Sequence, residues 1–126
     1  MIIPKHGLMA SAQIRRAVPG VARVLLARTD GIAVYDDATL AERETGAAVA
    51  ATLVGLAGSV TAAFHLGALD SVAIRTDGGV LVVQPIDAAH VLAVVASHDV
   101  DLAALRVAAE TAVRPLLGGW RVAEGA

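Results

Sequence analysis

Apolar residues recur along this chain with two different periods, and the change of period marks the elements. Ala50, Leu53, Val54, Ala57, Thr61 and Phe64 fall at spacings of three and four, the repeat of one face of an α-helix. Beside that stripe runs a second, Val49, Leu53, Leu56 and Val60. Together they are wider than one sheet face requires, so this helix is expected to touch something more. Thr39-Leu40-Ala41-Glu42 has the spacing of a capping box, in which the Thr39 hydroxyl accepts from the Glu42 N–H and the Glu42 carboxylate reaches back. That predicts a helix starting near Leu40. Gly55 and Gly58 each cost about 1 kcal/mol relative to Ala; either they admit a close neighbour or they lie near a fraying end.

Outside this helix the pattern turns strand-like. Val21 to Thr29 and Ile32 to Tyr35 are β-branched and apolar runs on either side of Asp30-Gly31. Further on, Val72, Ile74 and Thr76 alternate with Ser71, Ala73 and Arg75, and Asp77-Gly78-Gly79 leads into VLVVQPI. Asp-Gly between two such runs predicts a hairpin with a type I′ turn, both central residues at positive φ. The tetrapeptide Arg-Thr-Asp-Gly thus occurs twice, ending at Gly31 and at Gly78. A calcium loop would need further oxygen ligands at fixed positions, and a phosphate loop would need a helix after its glycines. Neither copy provides these, so shared turn chemistry is the reading. His90 to Ser97, apolar at consecutive positions, predicts a central strand covered on both faces.

Leu102, Leu105, Ala109, Ala112, Val113 and Leu116 form the stripe of a last helix, with Arg106, Glu110 and Arg114 mostly outside it. Asp99 or Asp101 caps it, and Pro115 with Gly118-Gly119 is expected to end it. SAQIRRAV, ahead of Pro19-Gly20, predicts a short first helix with Ile14 and Val18 inward. The order helix-strand-strand-helix-strand-strand-strand-helix implies an α/β (α+β) fold, a three-layer α-β-α sandwich around a five-stranded, mostly antiparallel sheet. We divide the chain into an N-terminal segment, residues 1–10, for which disorder is one reading, a domain at 11–118, and a tail at 119–126.

Composition sharpens one point. Hydrophobic residues make up 56% of the 126 residues and charged ones 17%, against about 45–50% and 25% in ordinary globular domains. That surplus calls for a membrane segment or an apolar patch covered by another chain. Thr45 to Leu69 lacks Asp, Glu, Lys and Arg and is long enough to cross a bilayer. Its alanines, glycines and scattered polar groups, with no flanking Lys or Arg cluster, favour a soluble helix covered on two sides. A net charge of −2 and one each of Trp, Tyr and Phe give no footprint for nucleic acid. The absence of Cys removes disulfides and thiolate chemistry. MIIPKHGLMA lacks the apolar run of a signal peptide, and the expected location is cytoplasmic.

Candidate chemistry is sparse. His65, His90 and His98 include no pair at helical ligand spacing, so no metal site is assigned. Ser59, Ser71 and Ser97 lack a nucleophile-elbow context. Asp36-Asp37 has the chemistry of paired acids, but between a strand and a helix start it reads as turn and helix-dipole residues. Arg28 and Arg75 flank hairpins and read as solvated. No catalytic, cofactor or metal residues are expected, and no enzyme activity.

The order of elements, with VPGVARVLLARTDGIAVYDD, ERETGAAVAATLVGLAG, VAIRTDGGVLVVQPI and DLAALRVAAE, resembles the Roadblock dynein light-chain family and its bacterial relatives. The likeness runs from about Ile14 to Leu117; Pro4 and Gly7 are atypical of it. The resemblance implies a homodimer in which the strand after the long helix pairs with its twin and the long helices pack together. It also implies a noncatalytic adaptor or regulator that binds a small Ras-like GTPase, within a complex that includes a sensor kinase in several bacterial relatives. The residues assigned to the dimer interface are Val49, Leu53, Leu56, Val60, Ser71, Ala73 and Arg75. The alternative is a small-ligand sensory module with a pocket between the sheet and helix layers.

Overall fold

The computed structural model describes residues 2–125, with side chains as far as Leu116. In chain order the elements are α1 (Pro4–Ala17), β1 (Val21–Arg28), β2 (Ala33–Asp36), α2 (Leu40–Ala63), β3 (Val72–Thr76), β4 (Gly79–Pro85), β5 (His90–Ala96) and α3 (Leu102–Gly125). The strands form one sheet in the order β2-β1-β5-β4-β3, every neighbouring pair antiparallel. β5 lies at its centre, as its unbroken apolar run requires.

Alternation along the strands sends side chains to two separate cores. Val24, Leu26, Val80, Val82, Leu92 and Val94 meet Ile14 of α1 and Leu105, Ala109 and Val113 of α3. On the other face Leu25, Ala27, Val83, Val91 and Ala93 meet Ala47 and Ala50 of α2. The sandwich has three layers, with α2 on one side and the α1/α3 pair on the other. By length and composition α2, mean hydropathy 1.6 over its most apolar window, would also qualify as a membrane span. Here its alanine face seats it on the sheet.

Four local expectations need correction. The first helix is not short: it begins at Pro4 and takes in most of residues 1–10. Pro4 needs no N–H partner in a first turn, and His6 Nδ1 accepts the Ile3 N–H at 3.0 Å. Gly7 is buried because a Cβ there would lie inside the Tyr35 side chain, so the atypical glycine is what lets α1 close on β2. Second, neither hairpin is type I′. In the first, Gly31 N–H reaches Arg28 O and Arg28 N–H reaches Ile32 O, with only Gly31 at positive φ; this is a type I turn followed by a left-handed glycine. In the second, neither Asp77 nor Gly78 has positive φ, and the Thr76 hydroxyl spans the turn to Gly79 O and Gly78 N–H. Identical tetrapeptides therefore close with different backbones.

Third, Thr39 is the N-cap of α2, yet its hydroxyl makes no cap bond. The start is fixed by the preceding loop: Asp36 accepts the Ala38 N–H at 2.8 Å, and Arg43 reaches back to Asp36 O and Ala38 O. Fourth, α3 continues through Pro115 to Gly125. A proline removes one backbone bond of the ladder, while Val113 and Leu116 on either side remain packed on the core. Asp101 is the cap, its carboxylate accepting the Ala104 N–H at 3.1 Å. Residues 119–125 of the expected tail fall within this helix, and Ala126 lies outside the described residues.

Candidate interaction surface

Only one flank of α2 is used by its own sheet. Ala47 and Ala50 are buried, and Leu53 and Val54 are partly covered beside Leu81 of β4. The neighbouring line is not covered: Val49 is 54% exposed, Leu56 61% and Val60 44%. Cβ atoms added at Gly55 and Gly58 would meet nothing within 4 Å, so no part of this chain occupies the space that these small residues leave. The helix ends with His65 at φ 57 and Leu66 N–H returning to Thr61 O, a Schellman closure that usually employs glycine. Phe64 and Leu66 there are also exposed.

β3 forms one margin of the sheet, so its outer row of backbone groups has no strand partner. The register separates its side chains by face. Val72 pairs with Val83 and Ile74 with Leu81, partners that belong with the α2-side core. Ala73 and Arg75 pair with Val82 and Val80, which point to the α1/α3 side. Ile74, 43% exposed, therefore shares a face with Val49, Leu53, Leu56 and Val60. Ser71, Ala73 and Arg75 do not, and any part they take in association is through the strand edge. Sequence reasoning missed Ile74, although its apolar alternation with Arg75 was the available signal.

A polar network pins the start of α2. Arg23 donates to both Asp36 oxygens, from Nε at 2.9 Å and Nη2 at 2.7 Å, and Nη2 also reaches Glu42 O at 3.2 Å. Asp36 is buried. Hydrogen bonding to the Asp36 carboxylate raises the Arg23 pKa against the effect of its own burial. Gly46 leaves room for this guanidinium: a Cβ would stand 2.5 Å from Arg23 Nη2. Asp37 joins α1 to the sheet, accepting from Tyr35 Oη at 2.6 Å, Arg15 Nη2 at 2.6 Å, Ser11 Oγ at 3.0 Å and Val24 N–H at 2.8 Å. Burial alone would raise the Asp37 pKa, but these four donors outweigh it and hold the carboxyl below its ordinary value. The same contact raises the Tyr35 pKa. Asp36 and Asp37 are thus structural acids, each saturated by donors, and Arg23 is the partner that sequence reasoning did not find.

No cluster of three or more His, Asp or Glu that could hold a metal occurs among the described residues. His90 pairs with Asp87 at 2.9 Å, His65 is exposed, and Arg28 pairs with Asp30. Arg75 is exposed.

The apolar surplus of this small sandwich lies on an open helix flank and beside an open sheet edge, surfaces of the kind that another chain covers. Residues 13–96 match the Roadblock/LC7 domain, and the chain belongs to that family. No curated protein matches it. Among solved structures it is similar to a Roadblock/LC7 domain from Streptomyces avermitilis, with a TM-score of 0.82 at 23% identity over 91% of this chain and 97% of that one. It is also similar to MglB of Myxococcus xanthus, 0.79 at 13% over 94% and 96%. An MglB with a tetrameric arrangement gives 0.76 at 14% over 90% and 86%. At these identities the likeness is one of fold.

Proposed function

We propose that the chain is a noncatalytic, homodimeric adaptor that binds a small Ras-like GTPase in a cytoplasmic signalling complex. One observation carries the reading: the sheet ends in an open β3 whose Ile74 points to the side of the sheet that α2 covers, and no charged residue occurs from Thr45 to Leu69. A twofold axis at that edge joins two sheets into one and lays α2 beside its twin. Val49, Leu56, Val60 and Ile74 are then covered, and Gly55 and Gly58 allow close approach of the helices. Such an interface is isologous, each patch facing its own copy. The tetrameric arrangement of an MglB of the same fold is consistent with self-association. The GTPase half of the reading rests on family membership, because bacterial relatives that this chain resembles bind small Ras-like GTPases. Its docking surface is the outer side of the paired α2 helices.

Light scattering at micromolar concentration, combined with capture on a purified small Ras-like GTPase loaded with GDP or a GTP analogue, tests both halves. A mass near twice 12.7 kDa with nucleotide-dependent retention is expected. A monomer removes the dimer, and a dimer that retains neither nucleotide form removes the GTPase.

A further inference from the structure

A recess of about 240 Å³ opens between α3 and the sheet, lined by Asp70, Gln84, Ala103, Arg106, Val107 and Glu110. It lies on the side away from α2: Gln84 pairs with Leu92, a residue of the α1/α3 core. Gln84 is out of place there. It follows Val80, Leu81, Val82 and Val83 on β4 and is only 9% exposed. Its amide makes no hydrogen bond to any described residue, yet no fully buried polar side-chain atom among them lacks a partner, so the amide opens into the recess. An aliphatic residue would continue the apolar run of β4 at this position, so the amide is the polar group that this strand presents to the recess. A ligand in the recess can bond to it in place of water.

The mouth supplies both charges. Arg106 and Glu110 stand one turn apart on α3, and Asp70, in the loop before β3, accepts from Arg106 Nη2 at 2.9 Å. Ala103 and Val107 form an apolar wall. The volume is below the roughly 300–1,000 Å³ of drug-sized sites. A simple anion would face two carboxylates, and a simple cation would face the Arg106 guanidinium. We propose that this recess binds a free α-amino acid. Its carboxylate lies on Arg106, its ammonium group on Glu110 and Asp70, and the Gln84 amide bonds to it from the floor. The site goes beyond the adaptor reading and does not depend on it, since every lining residue comes from one chain.

Nuclear magnetic resonance of the ¹⁵N-labelled full chain tests the proposal. The standard amino acids are added singly at millimolar concentration, with acetate and methylamine as separate controls at equal ionic strength. The expected result is a saturable shift of the Gln84 side-chain amide and Arg106 Nε signals with at least one amino acid, and with neither control. Gln84→Leu and Arg106→Gln should each weaken that binding roughly tenfold or more while the backbone spectrum stays native. No saturable shift with any amino acid, an equal shift with acetate or methylamine, or undiminished binding by a natively folded Gln84→Leu would overturn it.

Discussion

Leu56→Glu places a carboxylate at the middle of the uncharged stretch from Thr45 to Leu69, and the structure sets the size of the effect. Leu56 is 61% exposed in the single chain. Full burial of a leucine is worth about 1.5–3 kcal/mol, so covering the exposed part stabilises a dimer by about 1–2 kcal/mol per copy. Twofold symmetry doubles the loss. Each glutamate also leaves water without a partner and faces its twin, at a cost of about several kcal/mol. Even a total of about 4 kcal/mol weakens association roughly a thousandfold. Light scattering at micromolar concentration should move from twice 12.7 kDa to 12.7 kDa. Because Leu56 contributes to neither core cluster, the thermal midpoint of the isolated chain should hardly change. Ile74→Glu, on the same face, should act alike; Ala12→Glu, exposed on α1, should not. A Leu56→Glu protein with the wild-type dimer mass would refute the assignment of this flank.

Arg23→Met strips the buried Asp36 of its bidentate partner and should cost about 3–5 kcal/mol in chemical denaturation; a loss below about 1 kcal/mol would class the pair with surface bridges. The lowered pKa of Asp37 relative to 3.8 adds stability that is present above the unfolded-state value and lost as pH falls through the folded one. Asp37→Asn should therefore destabilise at neutral pH and flatten the acid limb of a stability–pH curve, with wild-type and variant curves converging once the pH has fallen through the folded-state pKa. Gly7→Ala drives a methyl into Tyr35 and should cost about 1–3 kcal/mol by denaturant titration.

The elements were legible where burial dictates them. The alternation and runs in β1, β4 and β5 fix which side chains face which core, and Ala47 and Ala50 mark the seat of α2 because only small residues let a helix lie so close to a sheet. What escaped depends on partners distant in sequence. Arg23 reads as an interruption of VARVLL until the fold brings Asp36 beside it. The cap at Thr39 fails because Arg43 and Asp36 already hold the loop. Pro115 looks like a stop from local propensity, but the packing of Val113 and Leu116 overrides it. On the candidate surface, the helix line Val49, Leu56 and Val60 was readable from excess apolar width. Ile74 was signalled only by its alternation with Arg75, and which side of the sheet it takes is set by the register of β3 with β4.

The two margins of the sheet are unequal. β2 has four residues, Ala33–Asp36, and its Tyr35 and Asp36 are engaged with α1 and β1, whereas β3 is bare along its length. Growth by strand addition therefore has one usable end per molecule. Were two such ends to meet, each outer terminus of the merged sheet would be a short β2, and the assembly would saturate as a pair instead of propagating into a fibre.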